Sequence, residues 1–87
     1  MVKNIAIIGT GNLAQSLLYR LESSKIKVRI RLYDKDTRKK SLAKKSTITY
    51  SNIIDKDLAK SEFIIIAVKP NQYKDVCRDI KRFYSKS

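Results

Sequence analysis

A short apolar run, Ile5-Ala6-Ile7-Ile8, is cut off by Gly9-Thr10-Gly11 and followed at once by leucines at helical spacing. β-branched residues suit a pleated backbone, and glycine permits a turn too tight for a side chain. The run therefore reads as a buried strand over Val2 to Ile8. Leu13, Ala14, Leu17, Leu18 and Leu21 then fall on one stripe of a helix from Asn12 to Ser23, which Ser23-Ser24-Lys25 brings to an end. A buried strand that passes straight into a helix has to return by a crossover, so the chain commits early to a parallel α/β arrangement.

The remaining pattern continues that alternation. Val28, Ile30 and Leu32 alternate with Lys27, Arg29 and Arg31, as expected of a strand over Lys27 to Tyr33 with one wet side. Asp36 is placed to cap a short helix from about Thr37 to Lys45, anchored by Leu42 and Ala43. Thr47 to Tyr50 suits a short strand, and Ile53 to Lys60 a short helix. Phe63 to Val68 reads as a second fully buried strand, stopped by Lys69-Pro70. Tyr73, Val76, Cys77 and Ile80 mark a last amphipathic helix to about Tyr84. The order β-α-β-α-β-α-β-α predicts a Rossmann-like, doubly wound parallel sheet, truncated to about four strands with flanking helices, in one domain over residues 1–87.

Composition narrows the classes. A chain of 87 residues allows one domain with a small core. The longest apolar runs are too short to cross a bilayer, and Gly9 and Gly11 interrupt the first one too early for a secretory signal. Cys77 is the only cysteine and there is no histidine, so neither an internal disulfide nor a zinc site is expected. A cytoplasmic location is the default. Twenty Lys and Arg against eight Asp and Glu give a net charge of +12, with ten of the basic residues between Lys25 and Lys45. Such a cluster attracts polyanions, although a charge run more often solubilises a surface than binds with it.

The glycine loop carries the chemistry. Gly9 closes the strand in a tight turn, Gly11 lets the main chain approach a pyrophosphate, and Ala14 is small enough for the helix to pack on the strand. The free N–H groups of Asn12, Leu13 and Ala14 then face the phosphates at the positive end of the helix dipole. Asp34 stands about twenty residues further on, at the end of the second strand, where an acid bonds the adenosine ribose 2′-OH of NAD. Lys35 and Arg38 beside it suit the 2′-phosphate of NADP instead, and the balance of charge leans that way. Ala67-Val68-Lys69-Pro70 reaches the carboxyl end of the fourth strand, next to the first across the switch point where dinucleotides bind.

Taken together, Gly9-Thr10-Gly11-Asn12-Leu13-Ala14 and Ala67-Val68-Lys69-Pro70 resemble the G-x-G-N-[ML]-A loop and A-V-K-P signature of pyrroline-5-carboxylate reductase, the enzyme of the last step of proline synthesis. Tyr33-Asp34-Lys35-Asp36 sits where that family reads the adenosine end. Asn52 is similar to an asparagine the family places near the coenzyme. Related nicotinamide- and F420-linked oxidoreductases share the loop, but fewer share both motifs. The resemblance implies an NADP (or NAD) coenzyme and hydride transfer to a cyclic imine. It also implies a helical domain that forms the dimer and supplies most of the imino-acid site. That domain does not lie within residues 1–87, so the chain is expected to bind coenzyme and not to catalyse alone. Its expected partners are a second copy on the free sheet edge or a separately encoded C-terminal domain. Two other functions stay open: a small nucleotide-binding regulatory module without catalysis, and a basic nucleic-acid-binding protein using Lys27, Arg29 and Arg31. The last lacks interleaved exposed aromatic residues.

Overall fold

The strand that leads into the glycine loop lies in the middle of the sheet, because it is apolar on both faces. A computed structural model describes residues 2–45 and 47–84, with only the backbone of Tyr84. Strand β1 (Lys3–Ile8) pairs in parallel with β2 (Val28–Tyr33) on one side and β4 (Phe63–Ile66) on the other; β3 (Ile48–Ser51) adds to β2. The order β3-β2-β1-β4, all parallel, is the expected Rossmann-like half-sheet, with β4 at an edge. Helix α1 (Asn12–Ser23) packs on one face, and helix α2 (Pro70–Tyr84) lies on the other.

Alternation along β1 divides the core in two. Ile5 and Ile7 point towards α1 and join Ala14, Leu18, Ile30, Leu32 and Ile48. Ala6 and Ile8 point the opposite way and join Tyr33, Leu58 and Val76, with Ile54 and Ile80 packed against them. Helices thus cover both faces, which lets β1 be a continuous apolar run.

Four expectations need correction. The segments after Asp36 and before β4 are not α-helices but short 3-10 turns, Thr37–Leu42 and Lys56–Lys60. Each is too short, and too poor in apolar residues, to sustain an α-helix by burial. Asp36 does cap the first by accepting from the Arg38 amide, and Asp55 caps the second in the same way from Asp57. Leu13 leaves the apolar stripe of α1 and is 72% exposed, whereas Ala14 beside it in the first turn is fully buried: the next residue of a helix points about 100° away, and only Ala14 faces the sheet. Strand β4 ends at Ile66 and is not fully buried: Phe63 is exposed and Ile64, Ile65 and Ile66 are half-buried, because only β1 pairs with it. Finally, the polar side of β2 is wet only in part. Arg29 is exposed, but Arg31 reaches Asp57 at 3.5 Å and Tyr33 is buried, where the turn Lys56–Lys60 covers that half of the face.

Candidate dinucleotide site

The glycine loop is fixed from both neighbouring strands. The Gly9 amide donates to the Tyr33 carbonyl at 2.8 Å, and the Ala67 amide donates to the Ile8 carbonyl at 2.7 Å. Gly9 has φ of +102°, and a Cβ there would lie 2.5 Å from the Ala67 carbonyl oxygen and 3.0 Å from a Val68 methyl. Only glycine permits both the turn and that contact. Gly11 differs: a Cβ would meet nothing within 4 Å, so the space over it is open. Gly11 is also the N-cap of α1, and it offers no side chain to the helix N–H groups behind it. Neither is there an acidic residue in the first turn to occupy that end of the dipole. Gln15 steadies the loop by donating its side-chain amide to the Thr10 carbonyl at 2.8 Å.

Above the carboxyl ends of β1, β2 and β4 lies a cleft of about 920 Å³. Its floor and near wall are Gly9, Thr10, Gly11, Ala67, Val68 and Lys69; its far end is Asp34, Lys35, Asp36 and Lys39, with Asn52 to Ile54 beside them. One face of α2 closes the side with Gln72, Asp75, Val76, Asp79 and Arg82. Asp79 carries Arg82 (3.9 Å) and Asp75 carries Arg78 (3.4 Å), so these acids are paired within the helix. Lys35, Lys39 and Lys69 form no ion pair among the described residues, so three uncommitted ammonium groups face the cleft.

Two tyrosines fix the far end. Tyr33, fully buried, donates its hydroxyl to Asp55 at 3.1 Å. Burial, reinforced by the Asp55 carboxylate, pushes its pKa well above the ordinary phenol value. The Tyr50 hydroxyl lies against the carbonyl oxygens of Asp34 and Asp36. Burial, with the charges of Asp34 and Asp36 next, raises its pKa too. The Asp36 carboxyl is held below its usual range, first by its side-chain hydrogen bond from Arg38 and then by the Arg38 amide.

Of the residues singled out in the sequence, Gly9, Thr10, Gly11, Asp34, Lys35, Asn52, Ala67, Val68 and Lys69 line this one cleft. Asn12 and Leu13 are exposed at the start of α1, Ala14 is buried beneath it against the core, and Pro70 opens α2. Arg38 does not line the cleft: its guanidinium holds both oxygens of Asp36, at 3.0 and 2.9 Å. Lys39, half-buried, stands at the cleft in its place. Sequence reasoning missed Lys39, Tyr50 and the α2 face. The helix face was legible in principle, since Gln72, Asp75, Val76, Asp79 and Arg82 repeat at three- and four-residue steps.

A parallel sheet with a glycine turn at its switch point, an uncapped helix start and an open cation-lined cleft define a dinucleotide-binding α/β domain. The chain belongs to the NADP oxidoreductase, coenzyme F420-dependent family, whose model matches residues 4–87. It is a coenzyme-binding oxidoreductase domain for a nicotinamide dinucleotide. Comparison with curated proteins and with solved structures gave no match. No helix among the described residues is long and apolar enough to cross a membrane.

Proposed function

We propose that the domain holds NADP(H) for a reductase of the pyrroline-5-carboxylate type, acting in proline synthesis. The observation that carries this reading is the contact between Gly9 and Ala67-Val68, which joins the two motifs of the resemblance into one surface. The open space over Gly11 fits a pyrophosphate, and the first turn of α1 offers N–H groups that no side chain caps. Asp34, Lys35 and Lys39 take the adenosine end, and Ala67 to Pro70 the backbone path towards the nicotinamide. When bound, the coenzyme supplies the hydride, which a reductase of this type delivers to the C=N carbon of pyrroline-5-carboxylate. The protein's part here is binding and orientation. The imine site itself is assigned to residues outside this domain, and with it the catalytic acid.

NADP is favoured over NAD because the uncommitted charges at the adenosine end are ammonium groups. The edge of β4 that no strand among the described residues covers is the surface this reading gives to a second copy or to a further domain. The test is a titration of the purified chain with NADPH and NADH, by coenzyme fluorescence, beside Gly11→Val. Saturable binding to wild type, lost in Gly11→Val at unchanged melting temperature, is expected; equal binding to both proteins would remove the loop from the site. Added pyrroline-5-carboxylate is expected to cause no NADPH oxidation by this chain alone. A DNA duplex titrated at two salt concentrations tests the basic surface, where Arg31 is already committed to Asp57.

A further inference from the structure

The turn from Asp34 to Asp36 is held from two sides, by Tyr50 and by the side chain of Thr10. On one side, Tyr50 of β3 sets its hydroxyl 2.6 Å from the Asp34 carbonyl oxygen and 3.0 Å from that of Asp36. A phenol has a single hydrogen to donate, so it is shared across the turn and ties both carbonyls to β3. On the other side, Thr10 of the glycine loop donates its hydroxyl to Asp34 Oδ2 at 2.5 Å, while the Asp36 amide donates to Asp34 Oδ1 at 2.8 Å. Both oxygens of Asp34 therefore already accept hydrogen bonds from the protein. The Asp36 carboxylate is engaged as well, by Arg38. Lys35 of this turn, and Lys39 of the 3-10 segment that follows it, remain uncommitted at the cleft.

An acid at the end of the second strand ordinarily accepts from the ribose 2′-OH, whereas a cation there accommodates a 2′-phosphate. This chain has both, and its hydrogen bonds decide between them. We propose that Tyr50 and Thr10 are positioning residues that select the 2′-phosphorylated coenzyme. Tyr50 clamps the turn so that Lys35 and Lys39 flank the 2′ position. Thr10 holds the Asp34 carboxylate away from it. Thr10 thus does two jobs, since its backbone is part of the phosphate loop while its side chain sets what the adenosine end accepts.

This assignment rests on the coenzyme reading above, and the test separates the two. Dissociation constants for NADPH and for NADH are measured on the full chain as wild type, Tyr50→Phe, Thr10→Val and Thr10→Ser, with melting temperatures alongside. Tyr50→Phe loses one hydrogen bond and is expected to weaken NADPH about fivefold while NADH changes less than about twofold. Thr10→Val releases Asp34 Oδ2, so the carboxylate can swing to a ribose hydroxyl and carry its charge closer to a 2′-phosphate. The NADPH-to-NADH preference is expected to fall about tenfold, with NADH bound more tightly than by wild type. Thr10→Ser keeps the hydroxyl and is expected to keep the wild-type preference. A variant that is merely loosened weakens both coenzymes alike, and that parallel loss overturns the assignment. So does an unchanged preference in Tyr50→Phe and Thr10→Val when wild type binds NADPH. A wild-type chain that binds neither dinucleotide overturns the coenzyme reading and this assignment with it.

Discussion

Strands β1 and β4 are written in almost the same residues, Ile-Ala-Ile-Ile in one and Phe-Ile-Ile-Ile in the other, and they lie side by side in register. Their fates differ. Ile7 is fully buried, whereas Ile65, its partner across the ladder, is half-buried, and Phe63 is 56% exposed. Composition decides that each forms a strand, but position in the sheet decides what burial it obtains. A central strand has a neighbour on each side and helices on both faces, while an edge strand has one neighbour.

Truncating the paired isoleucines breaks or confirms this comparison most directly. Ile7→Ala is expected to cost about 4 kcal/mol, since the cavity opens among Leu32, Ala14 and Leu18 with little room to collapse. Ile65→Ala is expected to cost about 1 to 2 kcal/mol, because part of that side chain is already in water. Urea unfolding of both variants measures the difference, and equal losses would mean that the edge is as well packed as the centre. The next largest effect is where the two strands meet. Gly9→Ala is expected to cost about 3 kcal/mol, from a left-handed backbone angle and from the Ala67 carbonyl in the way of the new methyl. Gly11→Ala is expected to leave stability within about 1 kcal/mol, because its surroundings are open. The two glycines of one motif thus separate into a structural one and one that faces the ligand.

That separation shows what could be read in advance. The strands, α1, the parallel order and the edge position of β4 all follow from local patterns: β-branched runs, a helical leucine spacing and a glycine stop. Such patterns act over a few residues, so a single sequence displays them. The two 3-10 turns read as α-helices in sequence because short polar segments with few apolar residues look alike in either helix type, and only the space left between neighbouring elements decides. The site was legible where glycine and alanine carry it. It was hidden where it depends on side chains meeting across the fold. Arg38 and Lys39 are adjacent and both basic, yet one is taken by Asp36 and the other stands at the cleft. Nothing in their order foretells which. The bond from Thr10 to Asp34 spans 24 residues, and Tyr50 reaches back 16 to Asp34, distances at which sequence pattern is silent.

A smaller effect tests the face of β2 that the turn Lys56–Lys60 covers. Tyr33 must remain neutral in the fold, where burial and Asp55 raise its pKa, but in the unfolded chain it ionises near the ordinary value of 10.0. Its folded pKa is the higher one, so its contribution is complete below about pH 10 and declines as pH rises beyond it. Wild type is therefore expected to lose stability between about pH 10 and 11.5 more steeply than Tyr33→Phe, by up to about 1.4 kcal/mol per pH unit. Tyr33→Phe also gives up the Asp55 hydrogen bond, a loss of about 1 kcal/mol at neutral pH. The two curves are expected to converge as the pH rises. Parallel curves would mean that Tyr33 ionises as readily in the fold as outside it.

The smallest effect lies back at the junction of β1 and β4, where Lys3 and Glu62 pair at 3.5 Å at the strand entries. Both side chains are more than a third exposed, at 45% and 40%. Coulomb attraction through that much water is weak and is offset by the entropy of holding two long side chains together. Glu62→Gln is expected to change stability by about 0.5 kcal/mol or less, and 0.5 M salt is expected to remove most of that difference. The Glu62 backbone is a separate matter, since its amide donates to the Asn4 carbonyl at 2.8 Å and the substitution leaves that bond in place. A loss above about 1.5 kcal/mol that 0.5 M salt abolishes would show that charge, and not the ladder alone, sets the register of the edge strand on the central one. The comparison of the two strands would then need an electrostatic term that their burial alone does not call for.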